Sequence, residues 1–308
     1  MKCGLVILNY KDYMMTQKLL ETIKYFPEIN HIAVVDNNSP NESYEVLKHY
    51  AGDKISVIKS DRNGGYSYGN NIGIRHLIKN FSPDIIGIAN PDVIFSNELV
   101  KRIKETFKAN PDYAVLTGFQ LNENNEAGCH PFWEDNHTTA SSILKPMLCE
   151  LTISPFVNLF RKVFHIRKTS SYGEYVNRIK DSPEALNRVW AVEGCLFFIR
   201  TEDFESVGLF DEKIFLFCEE DVLAKKIKAL GKKAGVINDV TFIHAHREHK
   251  NNNPFTFSPL ERGQIFYFCN YITKSKSLHA LYITLMYLLR LKRLLKESIK
   301  KIISPFRK

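Results

Sequence analysis

The chain has 308 residues, of which 25% are charged and 44% hydrophobic, and a net charge of +8; that length buries a large core and suits one big α/β domain with an appendage, in a composition ordinary for a soluble globular protein. Its six cysteines, Cys3, Cys129, Cys149, Cys195, Cys218 and Cys269, are scattered without a CxxC spacing, which argues against a zinc knuckle or a disulfide framework and fits a reducing cytoplasm. Met1 and Lys2 lead straight into a strand-like run, without the basic start and long apolar stretch of a secretory signal.

In chain order, strand and helix signals alternate over the first 120 residues, the pattern that builds a parallel sheet. Strands are predicted at Cys3–Leu8, His31–Asp36, Ile55–Lys59, Asp84–Ala89 and Ala114–Phe119. Helices are predicted at Tyr13–Tyr25, Ser43–Tyr50, Ser67–Asn80 and Asn97–Ala109, the last capped by Ser96 or Asn97. Right-handed crossovers then follow, and ligands gather at the carboxyl ends of such strands. Asn9, Asp36, Asp61 and Asp92 all fall there. Residues 122–187 read as an irregular insertion, with a basic amphipathic piece from Phe156 to Lys168 and a role as a lid on the acceptor side. A strand signal returns at Val189–Ile199, a helical one at Glu219–Leu230 and a strand at Val240–Ala245.

The excess charge lies at the end. Residues 273–308 hold ten basic residues and one acid, so the remainder of the chain is close to neutral. Leucine and isoleucine interleave the cations at helical spacing, and the uninterrupted apolar stretch Ala280–Leu289 is far shorter than the ~20 residues that span a bilayer. Two readings stay open: a helix lying on an anionic membrane surface, or a terminal helix packed on its own domain with a solvated cationic face. Bulky aliphatics rather than exposed aromatics between the charges argue against a nucleic-acid face.

Several short segments carry chemistry. The apolar run Ile85–Ala89 ends in Asn90, Pro91 and Asp92. Hard oxygen ligands at a strand end suit Mg2+ or Mn2+ bridged to a diphosphate, with Asp92 the better ligand and Asn90 a neutral carbonyl beside it. Read alone, the same tripeptide is a strand-ending turn. Asp36, followed by Asn37, Asn38 and Ser39, can accept from a pyrimidine N–H or a ribose hydroxyl, or simply close an Asx turn. Asn63, Gly64 and Gly65 precede a helix whose start favours anions, against the default of a hairpin turn. Asn70 and Asn71 are expected to face the same crevice, and Arg62 to pair with the diphosphate or stay solvated. Glu219, Glu220 and Asp221 open a helix after an apolar run; a carboxylate there can serve as a general base, although acids also suit any first helical turn. His244 and His246 share one face of a strand end, and Trp190 offers either a sugar-stacking ring or a packed one.

The stretches LVILNY (5–10), AVVDNNSP (33–40), DRNGGYSYGNNIGI (61–74), IANPDV (88–93), EGCLFFIR (193–200), VGLFDEKIFLFCEED (207–221) and FIHAH (242–246) occur in an order and spacing that resembles the family 2 inverting glycosyltransferases of the GT-A fold, in particular their bacterial rhamnosyltransferase-like branch. The resemblance implies an α/β, Rossmann-like, mostly parallel central sheet flanked by helices, with a C-terminal helical extension. It implies a glycosyltransferase domain over 1–250, made of a nucleotide-binding half (1–120), a variable insertion (121–188) and an acceptor and catalytic half (189–250), before a basic tail at 251–308. Asn9, Asp36, Arg62, Asn63, Gly64, Asn71 and Asn90 would bind the nucleotide sugar, Asp92 and His244 the metal, and Trp190, Glu193 and Asp211 the acceptor. Family members show Glu-Asp where this chain has Glu219 and Glu220, and an aliphatic residue where it has Asp221. Glu220 is therefore taken as the base, with Asp221 its rival and Glu219 an acceptor-orienting group.

The implied reaction is one in-line displacement with inversion, from dTDP-rhamnose or a UDP-hexose to a growing surface glycan such as O-antigen or capsule, on a polyprenyl diphosphate lipid. The protein would work in the cytoplasm, peripheral on the inner face of the membrane. Two other functions compete. A sugar-phosphate nucleotidylyltransferase needs a Gly-rich basic loop after the first strand, where this chain has Asn9, Tyr10, Lys11 and Asp12. A non-catalytic membrane-surface binder leaves Asp92 and the acidic run without a task.

Overall fold

The computed structural model describes residues 1–127, 132–133, 139–151, 172–245 and 257–303. The chain divides into two compact units, residues 1–134 with 172–248, and residues 135–171 with 249–308. The amphipathic piece at Phe156–Lys168, and His246, lie outside the described residues.

In the first unit the alternating pattern folds as β1 (Cys3–Asn9), α1 (Tyr13–Ile23), β2 (His31–Asp36), α2 (Ser43–Leu47), β3 (Ile55–Lys59), α3 (Gly65–Phe81), β4 (Ile85–Ala89), β5 (Val93–Ile94), α4 (Asn97–Ala109) and β6 (Tyr113–Leu121). After β7 (Phe132–Trp133) and α6 (Tyr172–Lys180) come β8 (Leu186–Val189), β9 (Ala191–Val192), β10 (Leu196–Arg200), α7 (Thr201–Ser206), α8 (Glu219–Ala229) and β11 (Lys233–His244), α5 (Ala140–Leu151) belonging to the second unit. The main sheet runs β3-β2-β1-β4-β10-β6-β11-β5, with β8 paired to β11. Strands β1 to β4 are mutually parallel, and β10 is inserted antiparallel between β4 and β6. That insertion is the departure from the sequence reading: the expected strand Val189–Ile199 breaks at Glu193-Gly194-Cys195 into the end of β8, the short β9 and β10.

Alternation along each strand sorts the core into two layers. Leu5, Ile7, Ile32 and Val34 pack with Leu20 of α1 and Val100 and Phe107 of α4 on one face. Val6, Ala33, Val35 and Ile88 pack with Ile74 and Leu77 of α3, Phe204 of α7 and Leu223 of α8 on the other. Every residue of β2 is buried, as expected for a strand covered by helices on both faces. Ser96 caps α4 by accepting from the Leu99 N–H at 3.2 Å, the first of the two caps considered.

The second unit is helical: α5, α9 (Pro259–Tyr267) with a π turn at Phe268–Ile272, and α10 (Lys276–Ile303). Its core gathers Leu144, Phe268, Tyr282, Leu285 and Met286. A Ser258–Glu261 capping box opens α9, and Glu261 also pairs with Arg290 at 2.8 Å. Among the described residues no helix is long and apolar enough to cross a membrane.

Candidate active site

Register places the strand ends side by side. Asn9 at the end of β1 pairs with Asp36 at the end of β2, and Ile7 with Ala89, which sets Asn90 on the same edge. Asn9 donates from Nδ2 to Asp36 Oδ1 at 2.8 Å, the Ser39 N–H donates to Asp36 Oδ2 at 3.0 Å, and Thr16 donates to Asn9 Oδ1 at 2.9 Å. Asn9 and Asp36 are fully buried. Asp36 thus closes an Asx turn, its carboxylate already bonded by protein donors.

At the start of α3 the structure corrects one expectation. Gly65 N–H donates to Asn63 Oδ1 at 3.1 Å and Tyr66 N–H donates to Phe215 O at 2.7 Å, so two N–H groups expected to face an anion are engaged by protein. Asn37 ties this turn to β2, donating to Asn63 Oδ1 and Gly65 O. Gly65 has φ +87°, and a Cβ there would lie 2.1 Å from the Phe215 carbonyl oxygen, so only glycine fits. Gly64 lies against the Tyr68 ring, and Arg62 stacks over that ring at 4.4 Å while exposed. Asn71 is corrected too: it is buried, donates to Phe210 O at 3.0 Å and Glu212 Oε1 at 2.9 Å, and accepts from Phe210 N–H, so it fastens the 210–212 loop instead of facing the crevice.

The break between β9 and β10 joins the remaining acids. Asn90 N–H donates to Cys195 O at 2.7 Å, binding the break to the end of β4. His244, buried at the end of β11, lies between carboxylates: Nε2 is 3.4 Å from Asp92 Oδ1, and Nδ1 is 3.7 Å from Glu193 Oε2 and 3.2 Å from Gln120 Nε2. Cys195 Sγ is 3.6 Å from Glu193 Oε2. Burial opposes a charge on His244, but hydrogen bonds to Asp92, Cys195 and Glu193 outweigh it and push the imidazole up to about 12. The carboxylates around His244 favour positive charge, which a divalent cation would supply in place of the imidazole proton, leaving a neutral ring nitrogen as ligand. Glu193, Cys195 and His244 also lie within 4.8 Å of one another as ligand atoms. Glu193, expected on the acceptor, is thereby drawn to His244.

One residue further, Gly194 N–H donates to Glu220 Oε1 at 3.0 Å. Glu220 lies in the first turn of α8, and the two residues before that helix, Phe217 (φ +71°) and Cys218 (φ +69°), are both left-handed, a strain of about 1–3 kcal/mol each of the kind that collects at functional sites. Burial above all, with Asp221 and Glu193 adding negative charge, pushes the Glu220 carboxyl up to about 7 against backbone donors that include Gly194. Glu219 is buried, with Oε2 lacking a hydrogen bond, and burial together with Glu220 holds it well above the carboxylate range. Asp221 is half-buried one residue on, and Asp211 closes a turn by accepting from Lys213 N–H. Trp190 takes the packed alternative: its ring lies against Ala224 under Lys228 Nζ at 4.7 Å and is only 7% exposed. Sequence reasoning passed over Gln120, Cys195 and Tyr66. Gln120, a buried polar residue ending an apolar strand, was the available signal.

The chain is 26% identical over 279 residues to the rhamnosyltransferase WbbL of Escherichia coli, covering 88% of this chain and 91% of that one. It is 30% identical over 119 residues to the low-salt glycan biosynthesis hexosyltransferase Agl10 of Haloferax volcanii, covering 39% of this chain and only 36% of that one. Among solved structures, a mannosyltransferase from Pyrobaculum calidifontis in complex with GDP-Man and Mn2+ superposes with a TM-score of 0.53 at 14% identity, covering 99% of this chain and 82% of that one. TarS residues 1–349 of S. aureus gives 0.51 at 14% identity, with 80% of this chain and 60% of that one covered. These likenesses establish a GT-A fold with additional C-terminal helices. The profile of glycosyl transferase family 2 matches residues 5–166, more than half of the sequence, and the chain belongs to that family.

Proposed function

We propose that this protein is a metal-dependent, inverting glycosyltransferase that moves a sugar from a pyrimidine nucleotide, dTDP-rhamnose or a UDP-hexose, to a glycan acceptor carried on a polyprenyl lipid. The observation that carries the reading is the bridge at Glu193-Gly194, which joins a cation-favouring group, Asp92 and His244, to a carboxylate that titrates near neutrality, Glu220. A general base works best with a pKa close to the operating pH.

Glu220 takes the proton of the acceptor hydroxyl as that oxygen bonds to the anomeric carbon and the bond to the nucleoside diphosphate breaks. Inversion follows from this single displacement, and no side-chain nucleophile takes part. Mg2+ or Mn2+ held by Asp92 and His244, with Asn90 beside them, would neutralise the charge gathering on the leaving diphosphate. Glu193, on the other side of the imidazole, keeps His244 oriented, as outer carboxylates do for metal-bound histidine. Asn9, Asp36 and Asn63 build the floor against which the nucleotide lies, with Arg62 and Gly64 at its mouth, and Asp211 and Glu219 border the acceptor side. Asp221 remains the rival base. The exposed leucines and cations of α10 support seating on an anionic membrane surface, consistent with a lipid-borne acceptor.

Incubating the protein with a panel of sugar nucleotides, with and without Mn2+, and following release of UDP or dTDP tests the proposal. Release that depends on Mn2+ and on an added glycan acceptor is expected. Silence across the panel overturns it, as does pyrophosphate-dependent formation of a sugar phosphate, the signature of a nucleotidylyltransferase.

A further inference from the structure

Tyr66, in the first turn of α3, is half-buried among the groups just described without belonging to any of them. Its hydroxyl donates to the Gly194 carbonyl at 2.5 Å, and the N–H of the same glycine donates to Glu220 Oε1 at 3.0 Å. A Cβ on Gly194 would lie 2.7 Å from Glu220 Oε1 and 3.0 Å from the Tyr66 hydroxyl, so phenol and carboxylate both crowd the Cβ position of one residue. Through its own N–H, Tyr66 also holds Phe215 O at 2.7 Å, and its ring meets Phe210 edge-on at 5.6 Å.

We propose that Tyr66 is a positioning residue for the base: it holds the Gly194–Cys195 peptide by its carbonyl and so restrains the backbone of Gly194, whose N–H, in the preceding peptide, meets Glu220, while its backbone anchors the strained loop from which Glu220 projects. The inference rests on Glu220 being the base. Tyr66 acts on Glu220 through Gly194 and the loop, besides lying close enough to feel its charge, and burial above all, with Glu220 and Glu219 adding to it, keeps the Tyr66 hydroxyl far above its ordinary pKa, so it stays a donor wherever the enzyme works. The need for such a clamp is physical. Glu220 has like charge beside it, from Asp221 on its own helix and Glu193 across the break, with the buried Glu219 carboxyl next to it. Repulsion would turn the carboxylate away unless a fixed donor held it. Misplacing a catalytic group by roughly 1 Å costs on the order of 100-fold.

Tyr66→Phe removes the hydroxyl and preserves the ring. With the Gly194–Cys195 peptide released, the permissive glycine backbone relaxes and the Gly194 N–H, in the preceding peptide, bonds Glu220 less well; a carboxylate that loses a donor is protonated more easily. The expected result is a kcat lower by roughly 5- to 10-fold, the scale of one hydrogen bond, an acid limb of the kcat/KM profile moved to higher pH, and an unchanged KM for the nucleotide sugar. Gly194→Ala, which forces the same two groups apart, is expected to move the limb in the same direction. An unmoved limb in Tyr66→Phe overturns the inference, whether kcat falls or only the melting temperature does. Glu220→Gln with wild-type turnover would instead remove the base assignment itself, a failure distinguishable from any result at Tyr66.

Discussion

His31, His76 and Ser56 show at the residue scale how far a hydrogen-bond network can fix protonation. Asn80 Nδ2 lies 3.2 Å from His76 Nδ1, which must then accept, so His76 Nε2–H donates to Ser56 Oγ at 2.8 Å. The single Ser56 proton goes to His31 Nε2 at 3.0 Å, and His31 Nδ1–H meets the Asp53 carbonyl. Both rings are needed neutral. Burial lowers both pKa values, with His76 adding to the effect on His31. The unfolded chain therefore takes up protons first as pH falls, and stability present above about 6.5 declines below it. The urea midpoint is expected to fall between pH 7.5 and 5.5, and less steeply in His76→Gln; a flat wild-type midpoint would contradict the assignment. At the candidate base the sign is set by function: Glu220 is active when ionised, so kcat/KM should rise with pH through about 7. Glu220→Gln is expected to lower kcat by about 100- to 10,000-fold, the usual weight of a general base, with the circular dichroism spectrum unchanged. Activity within tenfold of wild type would transfer the role to Asp221.

At the scale of elements, the contact between α3 and the loop before α8 is the joint on which the site depends. Gly65 and Gly208 offer a controlled comparison, since both have positive φ, +87° and +76°, but a Cβ at Gly65 collides with Phe215 while one at Gly208 meets nothing. Gly208→Ala should cost only the left-handed penalty of about 1–2 kcal/mol. Gly65→Ala should cost more, and should lower turnover as well because displacing Phe215 displaces Glu220. Urea denaturation of the two variants measures the difference; equal losses would mean that the α3 contact does not constrain the loop.

For the whole molecule, α10 bears on the alternative of packing or membrane seating. Tyr282, Leu285, Met286 and Leu289 are buried within the helical unit, whereas Leu281, Tyr287, Leu288, Leu291 and Leu295 are exposed on the same helix. It is thus both packed and outwardly apolar, with Lys292 among the exposed leucines. Replacing Leu288, Leu291 and Leu295 together by Ser spares the buried face and is expected to weaken co-sedimentation with phosphatidylglycerol vesicles at least tenfold, because each removes apolar surface from the lipid boundary. Unchanged binding would leave the exposed stripe unrelated to lipid.

Local chemistry in the sequence was enough to mark the ends of β1, β2 and β4, because apolar runs that stop at Asn9, Asp36 and Asn90 identify buried strands, and the ordered motifs identified the family. The same signals could not orient Asn71 or Trp190, whose partners Phe210 and Ala224 lie far along the chain. Nor could they reveal that β10 enters antiparallel between β4 and β6, carrying Glu193, Gly194 and Cys195 to His244 on one side and Glu220 on the other. Periodicity records which face of an element is apolar; which distant element covers that face, and so which polar atoms meet at its end, is decided only when the sheet closes its register.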